Sequence, residues 1–104
     1  MGEAHTFTDA ARQLHEARTS GDRAAAVKAL KNNLNLWTQV QAELSQPDHK
    51  MSADLRANLL RLSVFVDRQT MQALADPDPA LLDALVEINR QIAQGQMAPA
   101  ANAD

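Results

Sequence analysis

The sequence contains no cysteine and no tyrosine, one tryptophan, two phenylalanines and three glycines in 104 residues. Without cysteine there is no disulfide, no thiolate nucleophile and no thiolate ligand for a metal. Glycines at positions 2, 21 and 95 lie too far apart to form a glycine-rich loop around a phosphate. Aromatics make up only 3% of the chain, and strands are built preferentially from aromatic and β-branched residues, so a sheet is poorly supplied. Positive charge is not in excess either. Ten Lys and Arg against thirteen Asp and Glu leave a net charge of −3, which offers no basic face for nucleic acid. No apolar run approaches the roughly 18 residues that span a bilayer. Met1–Thr8 lacks the basic and apolar blocks of a signal peptide. A cytoplasmic location, with no membrane and no direct nucleic-acid partner, is therefore expected.

What remains is aliphatic. Hydrophobic residues are 45% of the chain, and most are alanine and leucine, both strong helix formers. This is enough for the core of one small domain. The periodicity predicts an all-α fold, a small antiparallel helical bundle of three long helices plus a short N-terminal helix.

The first helix is expected over about Phe7–Arg18, capped by Thr6 or Thr8. Its only large apolar residues are Phe7 and Leu14, so residues 1–20 are expected to pack across one end of the bundle or to stay mobile. A second helix is predicted over Asp22–Leu44, with Val27, Leu30, Leu34, Trp37 and Leu44 on one stripe and a stop at Ser45-Gln46-Pro47-Asp48. A third is predicted over Ser52–Leu74, with Ser52 as N-cap. It carries a core stripe (Leu55, Leu59, Leu62, Val66, Ala73), a second stripe beside it (Leu60, Val64, Met71, Leu74) and Phe65 on the far side. A helix apolar over half its circumference is central or offers a second face to a partner. Asp78 and Pro79 start the fourth helix, with Leu81, Leu85, Ile88 and Ile92 as its stripe and Gly95 as its stop. Residues 21–95 thus form the bundle, and 96–104 read as a disordered tail.

No constellation of reactive groups emerges. His5, His15 and His49 lie in different segments of the sequence and do not form a set of convergent ligands, so no metal is expected. Ser52 reads as a cap and Ser63 as a small packing residue, which leaves no catalytic nucleophile, and no enzyme activity or cofactor is expected. Asp67 falls in the second stripe of the third helix, either in an ion pair with an arginine of a neighbouring helix or as a polar contact in a partner surface. Asn33 and Asn89 lie on or beside apolar stripes, and a buried amide requires hydrogen-bond partners. They are expected to satisfy a helix end or loop backbone, or to fix helix register, so that Asn89→Leu would disturb loop geometry. Trp37 continues the core stripe. Leu36 points off it, covered by the first helix or available to a partner.

Three blocks carry a resemblance. They are Ala29-Leu30-Lys31-Asn32-Asn33-Leu34-Asn35-Leu36-Trp37; Met51-Ser52-Ala53-Asp54-Leu55-Arg56-Ala57-Asn58-Leu59-Leu60 continuing through Leu62-Ser63-Val64-Phe65-Val66; and Leu85-Val86-Glu87-Ile88-Asn89-Arg90 followed by Ile92 and Gly95. In this order and spacing they resemble the FlaF family of flagellar biosynthesis regulators. The likeness spans about Ala25 to Gly95. It departs at Asn32, where the family favours an aromatic, at Leu34 and Asn35, where it tends to be basic, and at Met51, where leucine is common. The region before Ser20 matches least. The resemblance implies a protein that binds flagellin before export, acting as a secretion chaperone and regulator of flagellin synthesis and assembly, opposite the regulator FlbT. Regulation of synthesis with FlbT and without chaperoning is the alternative, and a generic helical adaptor the next. Flagellin's terminal helices are the implied ligand, taken as an amphipathic helix in a groove. The candidate groove is Leu60, Val64 and Met71, with Leu36, Phe65 and Asp67 at its margins.

Overall fold

The computed structural model describes residues 3–46 and 51–95, which form four α-helices and, among these residues, no strand. They are α1 (Glu3–Ser20), α2 (Arg23–Leu44), α3 (Ala53–Ala75) and α4 (Pro79–Ala93). The fold is the expected all-α bundle. The expected tail, 96–104, lies outside the described residues.

Local chemistry sets the helix starts. Asp22 accepts from the Ala24 amide, Ser52 from the Leu55 amide and Asp78 from the Ala80 amide, each satisfying one of the free N–H groups of a first turn. Pro79 occupies the first turn of α4, where its missing N–H costs nothing. Gly21 and Gly95 take positive φ, 70° and 77°, after α1 and α4, the conformation that ends a helix most readily at glycine.

Contacts between helix ends establish the antiparallel packing. Arg56, in the first turns of α3, donates from Nε to the Leu44 carbonyl at the end of α2. Arg23, at the start of α2, donates to the Ala75 carbonyl at the end of α3, at 3.5 Å. Each helix thus supplies a cation to the negative end of the other's dipole. At the end of α1, Arg18 meets Asp83 near the start of α4 through two parallel bonds of 3.0 and 3.3 Å.

The first helix departs from expectation. It has 18 residues, longer than α4, and Thr6 and Thr8 lie inside it rather than capping it. Phe7, Ala10, Ala11, Leu14 and Ala17 are all buried in the common core. Their spacing is that of one helix face, but three of the five are alanines, which a search for large apolar residues passes over. The small side chains let α1 lie close against α4, its most extensive neighbour, and against α2. Phe7 meets Trp37 edge to face, with ring centroids 5.4 Å apart.

Coverage by α1 rotates the buried face of α2 relative to the expected stripe. The buried residues are Ala26, Ala29, Leu30, Asn33, Leu36, Trp37 and Leu44, whereas Val27 and Leu34 are only half-buried. At ~100° per residue, this face is centred near Asn33, roughly 70° from the centre of the Leu30–Leu34–Trp37 stripe. Leu36 is accordingly a core residue, 9% exposed, and is not available as a partner anchor. On α3 the buried line is Ser63, Val66, Thr70 and Ala73, all small or β-branched, with Leu55, Leu59 and Leu62 half-buried beside it.

Candidate partner-binding face

The centre of the bundle holds a continuous polar relay. Trp37 Nε1 donates to Asn89 Oδ1 at 2.9 Å, Asn89 Nδ2 to Asn33 Oδ1 at 2.8 Å, and Asn33 Nδ2 to Thr70 Oγ1 at 3.2 Å. Thr70 Oγ1 then donates to the Val66 carbonyl at 2.6 Å. Trp37, Asn33, Thr70 and Asn89 are each at most 1% exposed. The direction of the whole chain follows from its ends. An indole N–H only donates and a carbonyl only accepts, so each amide has one orientation that satisfies both neighbours.

Asn33 and Asn89 therefore turn to each other and to α2, α3 and α4 side chains, not to a helix end or loop. Of the expected roles, helix register is the one this geometry serves. Thr70 was not singled out from the sequence. Its signal was a hydroxyl on the core-facing side of α3, one turn after Val66.

The relay and the Arg56 cap hold α3 in one rotation about its axis. Its opposite side is left bare. Val64, Phe65 and Met71 are 51%, 44% and 56% exposed, the large apolar side chains most open to water among the described residues. Leu60 and Leu74, at the flank, are half-buried. Of the expected groove, Leu60, Val64 and Met71 do share one side of α3, with Phe65 beyond them, while Leu36 is absent. Arg61 and Arg68 stand exposed among them. Arg61 donates to Asn58 on its own helix, and Arg68 has no ionic or hydrogen-bonded partner among the described residues.

Asp67 lacks the expected ion pair among the described residues. No arginine reaches it. Instead Gln41 of α2, which faces that flank, donates to its Oδ2 at 2.8 Å. Its Oδ1 is buried without a hydrogen-bond partner. The half-buried carboxylate marks the boundary between the α2–α3 interface and the bare face.

Other places offer less. An apolar recess of about 310 Å³ has Phe7, Trp37 and Leu44 as its buried wall, with Val40, Met51, Leu59 and Ile92 half-buried and Glu43 exposed around it. None of Val64, Phe65 and Met71 lines it. Among the described residues no group of His, Asp and Glu side chains converges as a metal site, and no helix is long and apolar enough to cross a membrane. His15 is exposed; the side chain of His5 and all of His49 lie outside the described residues.

No curated protein and no solved structure matches the chain significantly. One family model does, that of the flagellar protein FlaF, over residues 1–96. The match takes in α1 as well as the three blocks that carried the resemblance, as expected of a helix that completes the core. The chain belongs to the flagellar protein FlaF family, and its role lies in flagellar biosynthesis.

Proposed function

We propose that this protein binds flagellin in the cytoplasm, acts as its secretion chaperone and so regulates flagellin synthesis and flagellum assembly. The observation that carries the reading is the bare face of α3. Three large apolar side chains stand in water on a helix whose other side is fully engaged, and clustered exposed apolar groups on a small domain mark an interaction surface. Flagellin's terminal segments form coiled-coil helices in the filament and are poorly ordered before it. Their apolar stripe would fit against Val64 and Met71, with Leu60 and Phe65 at the sides. Folding of the guest on binding costs a few kcal/mol, which keeps such a complex releasable at the export gate. Binding and release alone suffice, so the reading calls for no cofactor and no catalytic group.

The test is co-purification with the flagellin of the same organism, intact or lacking its terminal segments. A one-to-one complex that disappears on truncation is the expected result. No complex, together with a retained effect on flagellin translation, would overturn it in favour of a regulator acting with FlbT.

A further inference from the structure

We propose that the outer side of α3 pairs with its partner as one strand of a coiled coil, and that the partner helix presents two acidic side chains seven residues apart to Arg61 and Arg68. This rests on the reading of α3 as the partner-binding face and adds the chemistry of what it binds.

The spacing carries the argument. Ala57, Arg61, Val64, Arg68, Met71 and Ala75 follow one another at intervals of four, three, four, three and four residues. This is the 3.5-residue repeat that keeps a seam facing a second helix over several turns. Ala57 is half-buried and the other five are exposed. The buried line of α3, Ser63, Val66, Thr70 and Ala73, lies on the opposite side, so the seam belongs to no helix of the bundle itself. Phe65 borders it, one turn from both Arg61 and Arg68.

Within the seam, cationic and apolar residues alternate. Arg61 and Arg68 are separated by two helical turns, about 10.5 Å along the axis. A helix lying alongside in coiled-coil fashion matches that distance with residues seven apart. Carboxylates there would give each guanidinium a partner as the Val64 and Met71 contacts close around it. A second copy of this chain does not meet the requirement. Asp54, one turn before Ala57, is the one exposed acidic residue of α3, Asp67 at the flank already accepts from Gln41, and no two exposed carboxylates of α3 stand seven residues apart. Self-pairing would desolvate four arginines without pairs of carboxylates spaced to meet them, which selects against it.

The test uses the full chain, isotopically labelled, and two synthetic helical peptides of about three heptads with the same leucine and alanine seam. They differ only in carrying Glu or Lys at two positions seven apart. The Glu peptide is expected to shift the amide resonances of residues 57–75 and to bind at least about tenfold tighter than the Lys peptide, with the difference shrinking as salt rises. The R61E/R68E variant, altered only at exposed positions, should reverse the preference. Equal affinities, no binding of either peptide, shifts confined to other helices, or self-association through α3 would each overturn the proposal. Flagellin co-purification is scored separately. A chain that holds flagellin but does not discriminate the peptides loses this proposal and keeps the flagellin reading. One that discriminates the peptides but does not hold flagellin keeps the seam and loses the flagellin reading.

Discussion

Asn89 of α4 and Asn33 of α2 face each other across the centre of the bundle, Nδ2 to Oδ1 at 2.8 Å, and both are buried together with the neighbouring Trp37 and Thr70. Each amide uses its oxygen toward one neighbour and its nitrogen toward the next. Loss of either amide strands two groups at once.

Asn89→Leu removes the acceptor of the Trp37 indole and the donor to Asn33. Each buried group left unsatisfied costs about 1–3 kcal/mol, so a loss of about 3 kcal/mol is expected in urea unfolding. The α3–α4 turn should be unaffected, because neither amide touches it. A double-mutant cycle with Asn33→Leu should give a clear coupling energy, the double variant costing less than the two singles added. Strict additivity would mean that the relay is not one unit.

Leu14→Ala tests the integration of α1. Leu14 is fully buried, and deleting its side chain in a core that cannot collapse should cost about 2–4 kcal/mol. Removing residues 1–20 should expose the single tryptophan and move its emission to the red. A deletion variant with native emission and unchanged stability would show that α1 is dispensable.

Arg56→Met keeps the aliphatic stem but removes the guanidinium that holds the Leu44 carbonyl. The expected cost is about 1 kcal/mol. Hydrogen exchange should accelerate in the last turn of α2 and remain unchanged in α4. By contrast, the Arg18–Asp83 pair is exposed, and Arg18→Ala should cost no more than about 1 kcal/mol.

Val64→Ser and Met71→Ser separate binding from folding. Both side chains are more than half exposed, so each change should alter stability by at most about 0.5 kcal/mol while weakening the proposed capture of flagellin. Leu36→Ala should do the reverse, with a cost of about 2 kcal/mol or more and no direct effect on the partner surface. Thermal melting and pull-down on the same three variants decide the matter.

The helix boundaries were largely legible because short polar residues and prolines announce them. Asp22, Ser52 and Asp78 act as caps where the pattern placed helix starts. The orientation of α2 was less so. Its stripe of large apolar residues, Val27, Leu30, Leu34, Trp37 and Leu44, leaves out the alanines, and the buried face of α1 is itself mostly alanine. Asn33 and Asn89 stood out as amides on apolar faces, yet their partners depend on distances between helices that no single helical pattern records. The bare face of α3 was legible as a surplus, since Val64, Phe65 and Met71 exceed what one core stripe can use. Arg61 and Arg68 are indistinguishable in sequence from ordinary solvated charge, and only the exposure of Val64, Phe65 and Met71 around them sets them apart.

The relay through Trp37, Asn89, Asn33 and Thr70 also decides where the entropy of recognition falls. Sliding or turning α3 would break the Thr70 end and strand the rest, so the host has no cheap second arrangement in which to meet its guest. A surface held this way enters the complex already shaped. If α3 binds a helical segment as proposed, the ordering that binding demands would be borne by that segment, and the lifetime of the complex could be set by the segment's sequence without any change in this chain.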